Sequence, residues 1–221
     1  NIGVSGIEKS QNTLLRETKI PLQLTLDSDI QFLVRKELMR FNNVFQSKGS
    51  AAILMNIHNG NILSLVSLPD FDPNKRENIK DKNYINKITK GVYELGSVFK
   101  TFTLAAALDE NLIEVDTKFI DLEKSIDCGN NTIREYDKKI PKDLTAEEIL
   151  IRSGNIGSVR IGQKIGVEKF RQFLTKINLI NKIEFDIDEV GIPIPFKWGK
   201  CKLATTSFGH GITTTPLQLA K

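Results

Sequence analysis

The sequence predicts an α+β fold, helices gathered around an antiparallel sheet, and three stretches carry the prediction. Two apolar runs between Ala51 and Leu68 flank His58-Asn59-Gly60-Asn61, and Asn-Gly between β-prone segments is a hairpin signal. Gly96-Ser97 ends an irregular segment, and Phe99, Phe102, Leu104, Ala105, Ala106 and Leu108 follow it at helical spacing. Thr145 with Glu148 three residues on forms a capping-box pattern at the head of a run of further helices.

Taken in order, residues 1–23 carry Gly3, Gly6 and Pro21 with little periodicity, and read as an extended arm or linker. Leu24-Thr25-Leu26-Asp27-Ser28-Asp29 gives an N-cap signal with acids in the first turn. The helix behind it places Ile30, Leu33, Val34, Leu38 and Phe41 on one face, and Gly49 stops it. After the hairpin, Pro69 and Pro73 bracket a turn-rich loop. After the Ser97 helix, Asp121, Asp127, Gly129, Asn130 and Asn131 mark loops with short strands. Helices are then expected from Thr145, from about Ile156 to Lys164, and from about Val167 to Ile177. Phe185 to Trp198 reads as loop, and Pro216 opens a last short helix after Gly209-His210-Gly211.

The 221 residues are 40% hydrophobic and 26% charged, enough for one globular core with an extra segment. A net charge of +4 comes from scattered lysines rather than a stripe, which argues against nucleic acid as a partner. Cys128 and Cys201 lie far apart without metal-ligand spacing. They read as two buried free thiols, with a single incidental disulfide as the alternative. Asp186, Asp188 and Glu189 match no cation loop and read as a solvated turn. No apolar run is long enough to cross a bilayer, and the chain starts at Asn1 without a methionine, as though cut from something longer.

Chemistry concentrates at Ser97 and Lys100. Three positions apart on a helix they share a face, so hydroxyl and amine can meet. A serine becomes a nucleophile when a base lies within reach, and a desolvated lysine can be that base. The helix start adds N–H groups and partial positive charge where an acyl oxyanion would form. A serine N-cap beside a solvated lysine would leave the same pattern, so the rest of the chain must decide.

Six stretches do so together. They are Gly6-Ile7-Glu8-Lys9; Leu24-Thr25-Leu26-Asp27 with Gln31; the Asn59-Gly60 hairpin closing on Pro69-x-Phe71-Asp72-Pro73-Asn74; Gly96-Ser97-x-x-Lys100; Thr145-Ala146-Glu147-Glu148-Ile149-Leu150 leading into Ser153-Gly154-Asn155-Ile156-Gly157; and Gly209-His210-Gly211 leading into Thr215-Pro216-Leu217-Gln218-Leu219-Ala220. In this order they resemble the transpeptidase domain of class B penicillin-binding proteins. Glu94-Leu95-Gly96 and Phe208-Gly209-His210-Gly211 look most like the division-specific, penicillin-binding protein 3-like branch.

The resemblance implies the fold shared by these proteins and the serine β-lactamases, over residues 24–221, with 1–23 as a remnant of the N-terminal pedestal region. It implies Ser97 as acylated nucleophile, Lys100 as its general base, Ser153 as proton relay and Asn155 as the group holding the substrate's amide backbone. The reaction implied is D,D-transpeptidation: attack between the two terminal D-alanines of a peptidoglycan stem peptide, then transfer to a neighbouring amine, with β-lactams as covalent inhibitors. No cofactor and no metal are needed. Implied partners are stem peptides, β-lactams, a glycosyltransferase and other division proteins. The implied location is the periplasmic face of the bacterial inner membrane, with the parent held by an N-terminal helix outside this sequence. Ser10-Gln11-Asn12 also fits Ser-x-Asn but precedes the nucleophile, the wrong order. His210 reads as a turn residue, Trp198 as packing and His58 as turn.

Two departures stand out. No Lys-Thr-Gly or Lys-Ser-Gly occurs; in the family it follows the Thr-Pro-Leu-Gln-Leu-Ala helix, where this sequence stops. That strand supplies a cation for the substrate carboxylate and a second oxyanion N–H, whose loss costs on the order of 3 kcal/mol. The fold is therefore expected to be incomplete at the C-terminus, one hairpin of a five-stranded sheet, and the chain alone poorly active and prone to instability. The pedestal between Glu8 and Leu24 is short or deleted. A serine β-lactamase or β-lactam sensor, and a non-catalytic interaction module of a division complex, are the alternatives.

Overall fold

The computed structural model describes residues 2–72, 74–75, 84–129 and 131–221, so the turn assigned to Pro73 and the loop position Asn130 lie outside the described residues. The chain gathers into two units: Asn1–Tyr93 with Asn181–Pro193 and Thr214–Lys221, and Glu94–Ile180 with Ile194–Thr213.

In the first unit, the N-terminal segment is not an extended arm. It forms two short helices, α1 (Gly6–Ser10) and α2 (Asn12–Glu17), which bury no residue and are held by side-chain hydrogen bonds, one set local and one to the distant segment around Glu189. Asn12 Oδ1 accepts the Gly3 N–H at 3.0 Å, and the Glu189 carboxylate accepts that of Gly6 at 3.1 Å through both oxygens. Glu189 is thus a docked residue rather than part of a solvated turn. One or two turns give too few residues for periodicity to register.

Asp27 then caps α3 (Ser28–Phe45), accepting from the backbone of Asp29 and Ile30 at 3.0 and 2.9 Å. The helix ends at Gln46 in the left-handed region, three residues before Gly49. The hairpin expected around Asn59-Gly60 is β1 (Ser50–Met55) against β2 (Ile62–Leu68). Its register runs from Ser50↔Leu68 to Leu54↔Ser64 and slips at Met55↔Ile62. β2 alternates as a one-faced strand should, with Ile62, Ser64, Val66 and Leu68 buried. Gln31 locks α3 onto it: its side chain donates to Leu65 O and accepts from Ser64 Oγ and Leu65 N, each at 2.9 Å. Ile30, Val34 and Leu38 are half-buried, but Leu33 and Phe41 are exposed, because a two-stranded sheet covers a narrower face than the spacing predicts. Ile62, Ile88, Ile183 and Leu217 form the core of this unit. Leu217 sits on α9 (Pro216–Ala220), which starts with a Thr215/Gln218 capping box and Pro216 in its first turn.

In the second unit, a 3-10 turn (Gly96–Phe99) runs directly into α4 (Lys100–Asp109), after the two-residue strand β3 (Tyr93–Glu94). Short pairs follow: β4 (Lys118–Phe119) with β7 (Leu144–Thr145), and the hairpin of β5 (Ser125–Cys128) and β6 (Asn131–Arg134). The Thr145/Glu148 capping box opens α5 (Ala146–Ile151) as expected. Then come α6 (Asn155–Ile165), α7 (Val167–Lys176), α8 (Lys200–Thr206) and the two-residue strand β8 (Thr213–Thr214). α8 had no sequence signal, since Lys200-Cys201-Lys202-Leu203-Ala204-Thr205-Thr206 is only seven residues long, has no side-chain cap at Gly199 and ends on two β-branched threonines.

α6 packs against α4, α5, α7 and α8, and its Ile156, Val159 and Ile161 lie in a core with Phe99, Ala106, Ile149, Phe170 and Leu174. Burying an aromatic such as Phe99 or Phe170 contributes about 2–3 kcal/mol. Trp198 packs on this core, edge-on to Phe170, as a packing residue. Cys128 and Cys201 are not free thiols: they form a disulfide, with Cα atoms 5.2 Å apart, that ties the β5–β6 hairpin to α8. Their separation of 73 residues, which hid the pairing in the sequence, gives the cross-link about 4 kcal/mol of stabilisation on a chain-entropy model.

Candidate active site

Ser97 lies in the 3-10 turn, three residues before Lys100 at the start of α4. The two side chains share a side of the chain but not an environment. Ser97 is exposed in a cleft of about 490 Å³, with Glu94, Tyr136, Ser153, Asn155 and His210 around it. Among the described residues no hydrogen bond holds its hydroxyl. Lys100 is 2% exposed, the opposite of what a solvated surface lysine would show.

Burial on that scale must be matched by hydrogen bonds, and the Lys100 ammonium has three N–H groups to place. One goes to Ser153 Oγ at 2.9 Å, one to Asn155 Oδ1 at 2.8 Å, and one to the Ser153 carbonyl oxygen. Burial lowers the Lys100 pKa from its ordinary 10.5 to about 8, against an opposing pull from the nearby Glu135 carboxylate, which raises it. The amine can therefore lose its proton near neutral pH. A neutral amine keeps two N–H donors and gains a lone pair, which can accept the proton of a neighbouring hydroxyl.

Ser153 and Asn155 come from the junction of α5 and α6. Ser153 stands at φ 54°, in the left-handed region, which costs a non-glycine residue on the order of 1–3 kcal/mol. Gly154 N-caps α6, and Asn155 is its first residue. The Asn155 amide donates to Arg134 O at 2.9 Å while its oxygen receives Lys100. An amide nitrogen carries two hydrogens, so one remains, among the described residues, for a substrate carbonyl. The four residues marked by the sequence thus share one site: Lys100, Ser153 and Asn155 are bonded directly, and Ser97 faces the same cleft.

The opposite wall is Phe208-Gly209-His210. Gly209 stands at φ 84°, and a methyl there would overlap the Gly96 carbonyl oxygen and come within 2.8 Å of Phe99 Cβ, so glycine is required for this close approach. His210 lies at the rim, its side chain 68% exposed, with Nδ1 3.4 Å from Glu94 Oε2 and its ring stacked on Phe208. Behind it, Lys202 of α8 donates to the Gly211 carbonyl and sits 4.1 Å from the centre of the Phe196 ring. Burial lowers the Lys202 pKa, with Glu94 opposing.

Sequence reasoning missed Glu135. It belongs to no motif, and its two partners, Asn155 N and Ile156 N, lie 20 and 21 residues further along. Ser10 and Asn12, the other Ser-x-Asn match, are engaged locally in the first unit, Ser10 Oγ with Asp188 N and Asn12 with Gly3. Among the described residues no cluster of three or more His, Cys, Asp or Glu could hold a metal, and no helix is long and apolar enough to cross a membrane.

The penicillin-binding protein transpeptidase domain model matches residues 50–221. The chain is 32% identical over 224 residues to a probable peptidoglycan D,D-transpeptidase FtsI of Caulobacter vibrioides, covering 99% of the chain and 38% of that protein. It is 30% identical to stage V sporulation protein D of Bacillus subtilis, covering 90% of the chain and 31% of that protein. The chain thus spans between 31% and 38% of the length of these relatives. Among solved structures, a peptidoglycan glycosyltransferase from Burkholderia ambifaria superposes with a TM-score of 0.75 at 26% identity, over 90% of the chain and 59% of that one. The TP domain of Burkholderia pseudomallei penicillin-binding protein 3 gives 0.76 at 24% identity, over 89% of the chain and 55% of its own, a likeness of fold.

Proposed function

We infer the function from one premise: the chain belongs to the penicillin-binding protein transpeptidase domain family. On it, we read the whole protein as a peptidoglycan D,D-transpeptidase of septal wall synthesis, working through a Ser97 acyl-enzyme and inhibited covalently by β-lactams. Residues 24–221 are its transpeptidase domain, and 1–23 the end of the region before it. The observation that carries the reading is Lys100: a lysine 2% exposed, with its pKa lowered to about 8, one turn from Ser97, whose hydroxyl has no hydrogen bond among the described residues.

The steps follow from the groups present. Neutral Lys100 takes the Ser97 proton as Oγ attacks the carbonyl between two D-alanines, and the Ser97 N–H at the turn meets the developing oxyanion. Ser153, bonded to Lys100, passes a proton to the leaving D-alanine amine. An amine from a second stem peptide then attacks the acyl-enzyme, its surplus proton returning along the same path, which frees Ser97 Oγ and completes the cross-link. Asn155 holds the donor peptide's backbone through its remaining N–H. Protein groups supply the base, the relay and the oxyanion donor, so the reading calls for no cofactor and no metal. The finer placement is the periplasmic face of the inner membrane, beside a glycosyltransferase and other division proteins; it rests on the family resemblance of the sequence, and what the relatives' names support is the peptidoglycan reaction.

Intact mass after incubation with a penicillin tests this, on the 221-residue chain and on the whole protein. One adduct is expected, absent from Ser97→Ala. An adduct persisting in Ser97→Ala, or none on the folded whole protein, overturns the reading. Slow release of the adduct is expected; rapid turnover would favour a β-lactamase.

A further inference from the structure

Glu135 follows β6 directly, and its two carboxylate oxygens accept the backbone N–H groups of Asn155 and Ile156 at 2.6 and 2.9 Å. Those N–H groups lie at the start of α6, where a helix leaves donors without internal partners and presents the positive end of its dipole. The N-cap residue, Gly154, has no side chain to satisfy them. One position earlier stands Ser153 in its left-handed conformation. Besides the backbone bonds of Ser153 N to Leu150 O and Gly154 N to Ile149 O, two charged groups hold that turn in place. Lys100 binds both the carbonyl and the hydroxyl of Ser153, and Glu135 binds the backbone just beyond it.

We propose that Glu135 is a positioning residue for this site: its carboxylate anchors the start of α6 and so fixes the Ser153–Asn155 turn on which the Lys100 ammonium rests. That the turn serves catalysis rests on the acyl-transfer reading; the anchoring itself does not. Glu135 touches no reacting atom and acts through Ser153, Asn155 and Lys100.

The carboxylate has a second, electrostatic part. Burial favours the neutral amine at Lys100, and the Glu135 charge opposes it. The other charges on the elements packed around Lys100 are paired elsewhere or exposed. Arg134 of β6, next to the buried Ile133, Glu147 of α5, Arg152 at its end, and Glu168 and Arg171 of α7 are exposed. On α4, Asp109 lies at the far end, 4.0 Å from Lys176 of α7. On α6, Arg160 pairs with Glu123, and Lys164 sits over the Phe119 ring. On α5, Glu148 closes its capping box, and Lys169 of α7 pairs with Glu110. Reach and charge are therefore separable roles of Glu135, and a merely structural cap would show only the first.

Carbon-13 NMR of the lysine-labelled protein follows the Lys100 Cε signal through its titration, and amide exchange follows Asn155 and Ile156. In the unmutated protein the midpoint is expected near 8, with slow exchange at both amides. Glu135→Gln should lower the midpoint and speed the exchange. Glu135→Asp keeps the charge but loses a methylene of reach, so the midpoint should stay nearer the unmutated one while exchange still speeds. Thr145→Ala uncaps α5 instead and should move neither readout. A Lys100 midpoint unmoved or raised in Glu135→Gln overturns the proposal. So does fast exchange at Asn155 and Ile156 in the unmutated protein, a result that needs no variant to fold. Neither readout involves a β-lactam. If penicillin leaves no adduct while Lys100 shifts as expected, acyl transfer falls and the anchoring role stands.

Discussion

The two walls of the cleft are built in opposite ways. The Lys100 wall is held by side chains: a buried ammonium with three acceptors, and a carboxylate on the helix start behind them. The Phe208-Gly209-His210 wall is held by backbone, with Gly209 pressed against Gly96 and its one titratable side chain exposed at the rim. Buried polar groups are expensive to leave unpaired, whereas an exposed pair contributes little. The first wall should therefore fail through its chemistry and the second through its shape.

The largest effect is expected on the first wall. Lys100→Ala removes the proposed base and leaves the Ser153 carbonyl and Asn155 Oδ1 without their donor. Acylation by a penicillin, followed by stopped-flow or quenched mass spectrometry, should slow about a thousand-fold, within the range for losing a general base. A loss under tenfold would mean that another group takes the Ser97 proton.

Gly209→Ala sharpens the contrast. The variant must open the contact with Gly96 and also hold an alanine at φ 84°, which together cost on the order of 2–5 kcal/mol. Gly60→Ala is the control: φ there is 74°, but nothing lies within 4 Å of the added methyl, so only the conformational cost of about 1 kcal/mol applies. Urea midpoints of the two variants measure the difference. Equal costs would show that Gly96 and Gly209 do not touch in solution.

How much of each wall was legible follows from sequence distance. Ser97 and Lys100 lie within one turn, and their spacing alone puts them on one side. Ser153 and Asn155 lie 53 and 55 residues beyond Lys100, and only the family resemblance joined them to it. Glu135 and the Cys128–Cys201 disulfide had neither local spacing nor motif, because a carboxylate that caps a helix from another segment, or a bridge spanning 73 residues, leaves no periodic trace. α3, the β1–β2 hairpin, α5, α6 and α7 read well because each had a local signal, a cap, a turn pair or a helical stripe, and in the six-residue α5 the Thr145/Glu148 capping box made up for its shortness. α1, α2 and α8 are only one to two turns long, and tertiary contacts rather than local propensity form them.

The pH dependence of acylation probes the first wall without a mutation. On the proposed mechanism Lys100 must be neutral to act as base, and its pKa is lowered to about 8, so below that pH the neutral fraction rises about tenfold per unit. The acylation rate should climb about tenfold from pH 6 to 7, bend near 8 and level off above it. A profile still climbing steeply above pH 9 would mean that Lys100 keeps the pKa of an exposed lysine.

The smallest effect is expected at His210, and it separates shape from chemistry on the second wall. The Nδ1–Glu94 contact is 3.4 Å long, with both side chains substantially exposed, and such pairs contribute about 0–1 kcal/mol. The turn that places His210 is fixed by Gly209 and by the Lys202 bond to Gly211, not by the imidazole. His210→Ala should therefore change the acylation rate by no more than about fivefold, the upper part of that range being reached only if the ring helps to hold Phe208. The bend near pH 8 should stay where it is, because His210 shares no hydrogen bond with Lys100. A drop of ten-fold or more, or a bend in the variant displaced from that of the unmutated protein, would make the imidazole a proton carrier and would give this wall a chemical part after all.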